Sequence, residues 1–505
     1  MHIPLRRVLA CAATATLAAG GLAFGTAQAA TAAPAKPLVD DFNGDGYRDV
    51  VVNLPFRSTS TLNKSGAALV LYGSASGLSS SHRKLITQAT AGVPGTAEST
   101  DWFGRATTTG DFDGDGYADL AVSADGEDYT SGGTTWDNGG QVTLIWGGPN
   151  GLTQHGAANV KLGTPAVKGL LAGHDLASGD FNGDGKRDLA VAYGRGGEAG
   201  TLLLGPFTRT GSPASDTPLG VATGIQTAQY TDTMLATGDV TGDGVGDLLV
   251  SWDTGTLEST NKIHILRGGT GGLKDVGYFK DPAGNPINHR EGERLAVGDL
   301  DRDGRDDVVV PQPFALGYKG EFLVVYGGTN GQDPTRKPVH FSQDTPGVPD
   351  TNSDVGSDYF GKQVAVGDVN ADGYGDVIAG SPGENHSNLG DAGKVTVLRG
   401  GPGGLTGTGA TSFTQNTPGV PGSAAYVGSF GSGTKATDVN GDGRADALIG
   451  VLGIGDAASN THEGGLWVLP GGATGTTATG SKSFSPTGLG LTANSVLYLG
   501  WSFNR

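Results

Sequence analysis

Cysteine is almost missing: the only one in 505 residues is Cys11. A chain that loses its first 29 residues can therefore form no disulfide. Basic charge is also scarce, with 33 Lys and Arg against 51 Asp and Glu. That balance argues against nucleic acid and anionic membranes as partners. Beyond the N-terminal residues no apolar run is long enough to cross a bilayer as a helix. No stretch keeps a helical hydrophobic period. The Gly-x-Ser-x-Gly elbow, the His-Glu-x-x-His zinc motif and a catalytic cysteine are all absent, which removes the commonest linear signatures of hydrolases.

The first residues read as an export leader. Arg6 and Arg7 precede the Ala-rich apolar residues 8–24, and Ala27-Gln28-Ala29 is a small-x-small cleavage site. Residues 1–29 are expected to be a bacterial secretory signal peptide, and residues 30–505 a secreted, extracellular chain of one domain. Twin-arginine export is the alternative route. The mature chain carries 31 basic and 51 acidic side chains, a formal charge of −20. An exported chain without disulfides needs another staple, and metal is a candidate.

What is abundant is glycine, 91 residues, and it is distributed by an internal repeat. The nonapeptide Asp-x-Asn/Asp-x-Asp-Gly-x-x-Asp, with Thr once at position three, begins at Asp41, Asp111, Asp180, Asp239, Asp299, Asp368 and Asp438. The steps are 70, 69, 59, 60, 69 and 70 residues. Each copy is followed by a β-branched run such as Val50-Val51-Val52, then by a third run such as Val142-Thr143-Leu144-Ile145. A glycine-rich turn and a short fourth run close the unit. Four short strands per repeat, seven times, predict an all-β fold, a seven-bladed β-propeller of four-stranded antiparallel blades. A β-helix or β-roll needs a much shorter repeat.

The nonapeptide has the chemistry of a hard-cation loop. Oxygens at alternate positions turn inward, the glycine at position six allows the sharp turn, and the backbone carbonyl of position seven can join them. The expected ligands of the first loop are Asp41, Asn43, Asp45, the backbone of Tyr47, and Asp49. The second loop offers Asp111, Asp113, Asp115, Tyr117 and Asp119. The third offers Asp180, Asn182, Asp184, Lys186 and Asp188, and the fourth Asp239, Thr241, Asp243, Val245 and Asp247. The fifth has Asp299, Asp301, Asp303, Arg305 and Asp307. The sixth has Asp368, Asn370, Asp372, Tyr374 and Asp376, and the seventh Asp438, Asn440, Asp442, Arg444 and Asp446. Ca²⁺ is the ion these oxygens suit, at up to seven sites, with 239–247 the weakest because Thr241 replaces a carboxylate or amide. An EF-hand is excluded, since position twelve of the first loop is Val52 inside a strand run. A metal-free Asp-Gly turn explains one copy but not seven with the same offsets.

Phe103-Gly104, Phe360-Gly361 and Phe430-Gly431 each stand a few residues before a loop, and Gly380-Ser381-Pro382 is close to Gly-Ala-Pro. With the loops, these elements resemble the FG-GAP repeats of integrin α-subunits. The resemblance implies a seven-bladed propeller with Ca²⁺ between the first and second strands of its blades. Blades three, four and five lack the Phe-Gly element, and all seven blades carry a loop, where integrin heads carry only some.

Function is expected on the opposite face, where the links between strands two and three and between blades lie. Candidate ligand residues are Trp102, Asp128, Tyr129 and Trp136, then Glu384, Asn385 and His386, then His462 and Glu463. The expected role is that of a monomeric, non-catalytic binding or adhesion protein for an extracellular glycan or protein. The alternative is a secreted hydrolase or lyase with a site assembled between blades. The closing segment, Leu497-Tyr498-Leu499-Gly500-Trp501-Ser502-Phe503, resembles the start of a repeat. It is expected to supply the missing first strand of blade one, with its apolar side chains buried.

Overall fold

The computed structural model describes residues 38–131, 134–153, 155–162, 169–195, 199–219, 233–251, 262–288, 293–349, 356–453, 464–491 and 497–504. The leader, residues 1–29, and the pair His462 and Glu463 lie outside the described residues. Within them stands the seven-bladed propeller of antiparallel sheets that the repeat predicts. Six blades have four strands each in chain order from the axis outward. Blade two, for example, is Thr107–Gly110, Asp119–Ala124, Gln141–Ile145 and Ala157–Asn159.

The second strand of each blade explains why the runs are apolar without alternation. Val50, Val51 and Val52 are all fully buried. Successive side chains point to opposite faces of a sheet, so Val50 and Val52 pack towards blade seven while Val51 packs towards blade two. The same division gives one hydrophobic cluster at each of the seven blade junctions among the described residues. The fold thus has no single core; it has seven thin ones arranged around an axis.

The Phe-Gly elements are the backbone clamps of these junctions. Phe103 and Phe430 bridge in parallel to Gly66 and Gly393 of the preceding blade. Phe360 donates its N–H to Lys319 carbonyl at 2.8 Å in the same manner. Blade three, which lacks the aromatic, uses Ala172-Gly173, with Ala172 N–H on Gly139 carbonyl at 3.0 Å. The aromatic is therefore filler, and the backbone contact is the conserved geometry of the repeat.

Blade one has three strands of its own, Val50–Asn53, Ala68–Leu71 and Arg83–Ile86. Its inner edge is completed from the far end of the chain. Phe503 pairs with Val52. Asn53 N–H donates to Ser502 carbonyl at 2.9 Å, and Asn504 N–H donates to Val51 carbonyl at 3.0 Å. Leu499 occupies the place of the Phe in Phe-Gly and bridges to Gly464 of blade seven. Gly464 has φ +73°, and a Cβ there would lie 2.4 Å from Leu499 N, so glycine is required. Leu497, Leu499 and Phe503 are buried as expected. Trp501 is only half-buried, and it packs on Phe56 with ring centroids 5.3 Å apart.

Truncating Phe503 to Ala should cost about 3–5 kcal/mol, the usual range for a buried aromatic. A chain ending at residue 496 should leave an unpaired strand edge and aggregate on warming. Urea denaturation of both variants against the wild type checks this. Unchanged midpoints would mean that the seam carries no stability.

Candidate metal centres and ligand face

Each nonapeptide leads into strand two of its blade, joining it to strand one in blades two to seven, and all seven share one hydrogen-bond pattern. The Oδ2 of the position-one aspartate accepts the N–H of position six: Gly46 at 2.8 Å, Gly116 at 3.0 Å, Gly185 at 2.8 Å, Gly244 at 2.8 Å, Gly304 at 3.0 Å, Gly373 at 2.7 Å and Gly443 at 2.8 Å. The Oδ1 of the position-five aspartate accepts the N–H of position seven, from Tyr47 at 3.0 Å to Arg444 at 2.9 Å. The Oδ1 of the position-one aspartate also accepts the N–H of position five, as from Asp45 to Asp41 at 3.2 Å, so the loop backbone wraps that carboxylate and fixes how the acidic side chains are aimed.

Position four is glycine in five loops. In the first, Gly44 has φ +71°, and a Cβ there would come 2.6 Å from the Tyr117 ring of the next loop. Arg302 and Ala371, which replace this glycine in loops five and six, take the same left-handed conformation, with φ 60° and 62°.

The position-nine aspartate is the deepest part of each loop. Asp49, Asp119, Asp188, Asp247 and Asp376 have no exposed surface, and Asp307 and Asp446 have 1%. One oxygen accepts an N–H from its own loop, as from Phe42 to Asp49 at 2.9 Å. The other accepts an N–H from the turn after strand three, as from Gly73 to Asp49 at 2.9 Å. The other six blades repeat both bonds, with Thr241 in place of the position-two donor in blade four. Burial raises these carboxyls despite the N–H donors: Asp49 and Asp119 to about 8, Asp307 to about 7, and Asp188, Asp376 and Asp446 to about 6. Asp247 moves the same way.

Could these residues hold a metal? The donor set is all oxygen, and two groups bring three carboxylates within 4.8 Å of one another: Asp111, Asp113 and Asp115, and Asp299, Asp301 and Asp307. Buried carboxylates whose ionisation burial opposes are what a cation would relieve. The residues present therefore fit a divalent ion.

On the opposite face the candidate ligand residues that are described do not gather. Trp102 is half-buried, with φ 54°, at the junction of blades one and two. Asp128 is exposed and accepts Asn138 N–H at 2.8 Å. Tyr129 and Trp136 face each other across a two-stranded ribbon, Tyr129–Ser131 with Thr134–Trp136; their side chains lie outside what is described. Glu384 is a correction. It is 2% exposed, pairs with Lys394 at 2.9 Å and accepts from Gln343 of the preceding blade at 2.6 Å, so it braces a junction. Asn385 and His386 close their own link, Asn385 by accepting Asp391 N–H at 2.7 Å, and His386 through Nε2, 3.1 Å from Gly393 carbonyl.

Sequence reasoning passed over a different group. Phe314 and Tyr318, in the link between strands two and three of blade five, meet Tyr359 at the entry to blade six. Their ring centroids are 5.9, 6.0 and 6.2 Å apart, all near perpendicular. Phe314 is 36% exposed, Leu316 53% and Tyr318 52%, so the group is an apolar surface and not a core. The available signal was Phe314-Ala315-Leu316-Gly317-Tyr318, an apolar run inside a link where the other blades are polar.

Four stretches match the FG-GAP repeat family: residues 103–145, 172–204, 292–325 and 360–398. The integrin alpha pat-2 of Caenorhabditis elegans is 31% identical over 232 residues, 44% of this chain and 18% of that protein. Integrin alpha-8 of Mus musculus is 25% identical over 245 residues, 47% of this chain and 21% of that protein. The chain thus spans about a fifth of the length of the curated relatives it matches. Among solved structures, rhamnogalacturonan lyase YesW covers 80% of this chain with 74% of its own at 13% identity and a TM-score of 0.31. The V. cholerae biofilm matrix protein Bap1 covers 92% of this chain with 96% of its own at 11% identity and a TM-score of 0.21. Superpositions this loose say nothing about function.

The position-nine carboxyls lie above an unfolded aspartate, so the metal-free fold holds extra protons. Their stabilising contribution is complete below about pH 4 and is lost as pH rises through the folded values. Metal-free protein should therefore melt lower at pH 9 than at pH 5, and a divalent cation should flatten that dependence. A metal-free melting point that is flat or rises over this range would contradict it.

Proposed function

We propose that this chain, a propeller built of FG-GAP repeats of the integrin α kind, is a secreted calcium-loaded binding protein whose ligand docks on the face opposite its nonapeptide loops. The observation that carries the reading is the exposed ring triad of Phe314, Tyr318 and Tyr359. Exposed apolar surface of this kind marks a docking site more often than a monomer tolerates it by accident. Rigid aromatic faces serve both sugar rings and protein side chains at small entropic cost. The chain's acidity disfavours an anionic ligand, and Lys362, 5.3 Å from the Tyr359 ring, adds one cation at the rim. A neutral extracellular glycan or a protein segment is the class of ligand that fits.

Calcium is the ion of choice because every donor is a hard oxygen, offered by Asp, Asn and backbone on a short flexible loop. In each loop positions one, three, five and nine and the position-seven carbonyl would hold it, and Thr241 makes the fourth the poorest site. Bound calcium would supply positive charge to carboxylates whose ionisation burial opposes. Integrin relatives act outside the cell, and among the described residues no helix is long and apolar enough to cross a membrane.

Three measurements test the reading. Calcium should raise the melting point over chelated protein, and an unmoved midpoint would sink the metal assignment. On a glycan array, Tyr318→Ala with Tyr359→Ala should weaken any hit by roughly tenfold or more, the size of a lost hot spot, while the melting point stays put. A hydrolase and lyase panel on the same protein separates binding from catalysis. Turnover indifferent to both tyrosines would favour the enzyme alternative.

A further inference from the structure

The end of strand three lies beside each nonapeptide because the position-nine aspartate ties the two together. The residue preceding the turn glycine is Tyr72, Trp146, Leu204, Arg267, Tyr326, Arg399 and Pro470 in blades one to seven. Four of these places bring a guanidinium onto the loop. Arg267 donates to Asp243 through Nε at 3.1 Å and Nη2 at 2.9 Å. Arg399 donates from Nη1 to Asp376 at 3.2 Å. In blades two and five the place is aromatic, and an arginine lies over its ring instead. Arg209, from blade three, sits 5.7 Å from the Trp146 ring, and Arg336 sits 3.2 Å from that of Tyr326. Arg209 pairs with Asp113 and Asp115, each at 2.7 Å, and Arg336 pairs with Asp301.

Loops one, three and seven differ. Among the described residues, no arginine from outside the nonapeptide reaches their ligand carboxylates within ion-pair distance; loop seven has only its own position-seven Arg444, 3.7 Å from Asp442, an internal pair that loop five also has, Arg305 with Asp303 at 3.2 Å, in addition to Arg336. Their places are filled by Tyr72, Leu204 and Pro470.

We propose that Arg209, Arg267, Arg336 and Arg399 are resident counter-ions that a divalent cation must displace, so that the seven loops form two affinity classes. Loops one, three and seven bind tightly. Loops two, four, five and six bind weakly and stay ordered without metal, because a guanidinium already neutralises part of their charge. The ranking runs against the aspartate count. Loops two and five have four aspartates each and would be placed first on composition alone. This inference rests on the calcium reading of the loops, and its test separates the two.

Calorimetric titration of metal-free protein with CaCl₂ should resolve three tight sites and four weak ones. Arg209→Gln and Arg267→Gln should each tighten one weak site by roughly three- to tenfold, the size of a partly exposed ion pair. Each should also lower the metal-free melting point while enlarging the rise that calcium gives. Arg209→Lys, which keeps the charge, should leave the weak class as it is. A second readout is optical: calcium should change tryptophan emission as Arg209 leaves Trp146, and Arg209→Gln should lose that component. Seven equivalent sites, or a Gln variant that binds calcium less well, would overturn the arginine role while leaving the calcium reading intact. No calcium uptake by any loop would overturn both.

Discussion

The structure hangs on a carboxylate placed where a carboxylate is costly. At the end of each nonapeptide an aspartate is buried so that its two oxygens can hold two backbone N–H groups, one from its own loop and one from the turn after strand three. Those N–H groups have no other partner, and leaving them bare would cost about 1–3 kcal/mol each. The bond to the loop fixes position two, and the carbonyl of position two then accepts an N–H from the next blade. Gly148 donates to Phe42 at 3.0 Å, Phe207 to Phe112 at 2.7 Å, Gly269 to Phe181 at 3.0 Å and Gly328 to Val240 at 3.1 Å. Gly401 to Leu300, Gly472 to Val369 and Ser74 to Val439 complete the circuit, the last from blade one to blade seven. One buried aspartate per blade thus sets the loop, the blade and the junction together.

This arrangement explains what could be read from the sequence and what could not. The repeat, the strands and the loops were legible because their determinants lie within nine to seventy residues and recur in phase. The seam of blade one was legible because an aromatic segment without a loop after it had only one place to go. The burial of the ninth aspartate was not, since position nine looks like any other ligand until strand three returns beside it. Glu384 misled for the same reason: in the sequence it belongs to a polar link, in space to Lys394 and Gln343. Arg209 stands 94 residues from Asp115 and in another blade. The ring triad joins a link in blade five to the entry of blade six. Contacts that cross a junction leave no local pattern.

The two faces are separate chemical problems on one scaffold. The loop face is polar, repetitive and held by backbone bonds, so its geometry tolerates Lys186, Val245 or Arg305 at position seven, whose N–H makes the shared bond to the position-five aspartate whatever the side chain. The link face is irregular and uses side chains, so each blade differs. Repeats of this kind can therefore keep the first face and vary the second.

The seam of blade one has a mechanical consequence. Asp40 and Asn504 lie along the same inner edge, the first accepting Asp49 N–H at 2.8 Å and the second bonded to Val51. Tension applied between these two points loads the bonds that join residues 502–504 to Val51 and Asn53, the bond from Lys435 Nζ to the Asn504 carbonyl at 3.0 Å, and the buried Phe503. Tension applied between Asp40 and Tyr318 takes another path, through whole blades loaded broadside across their apolar faces. The two directions of pull therefore load different parts of the molecule.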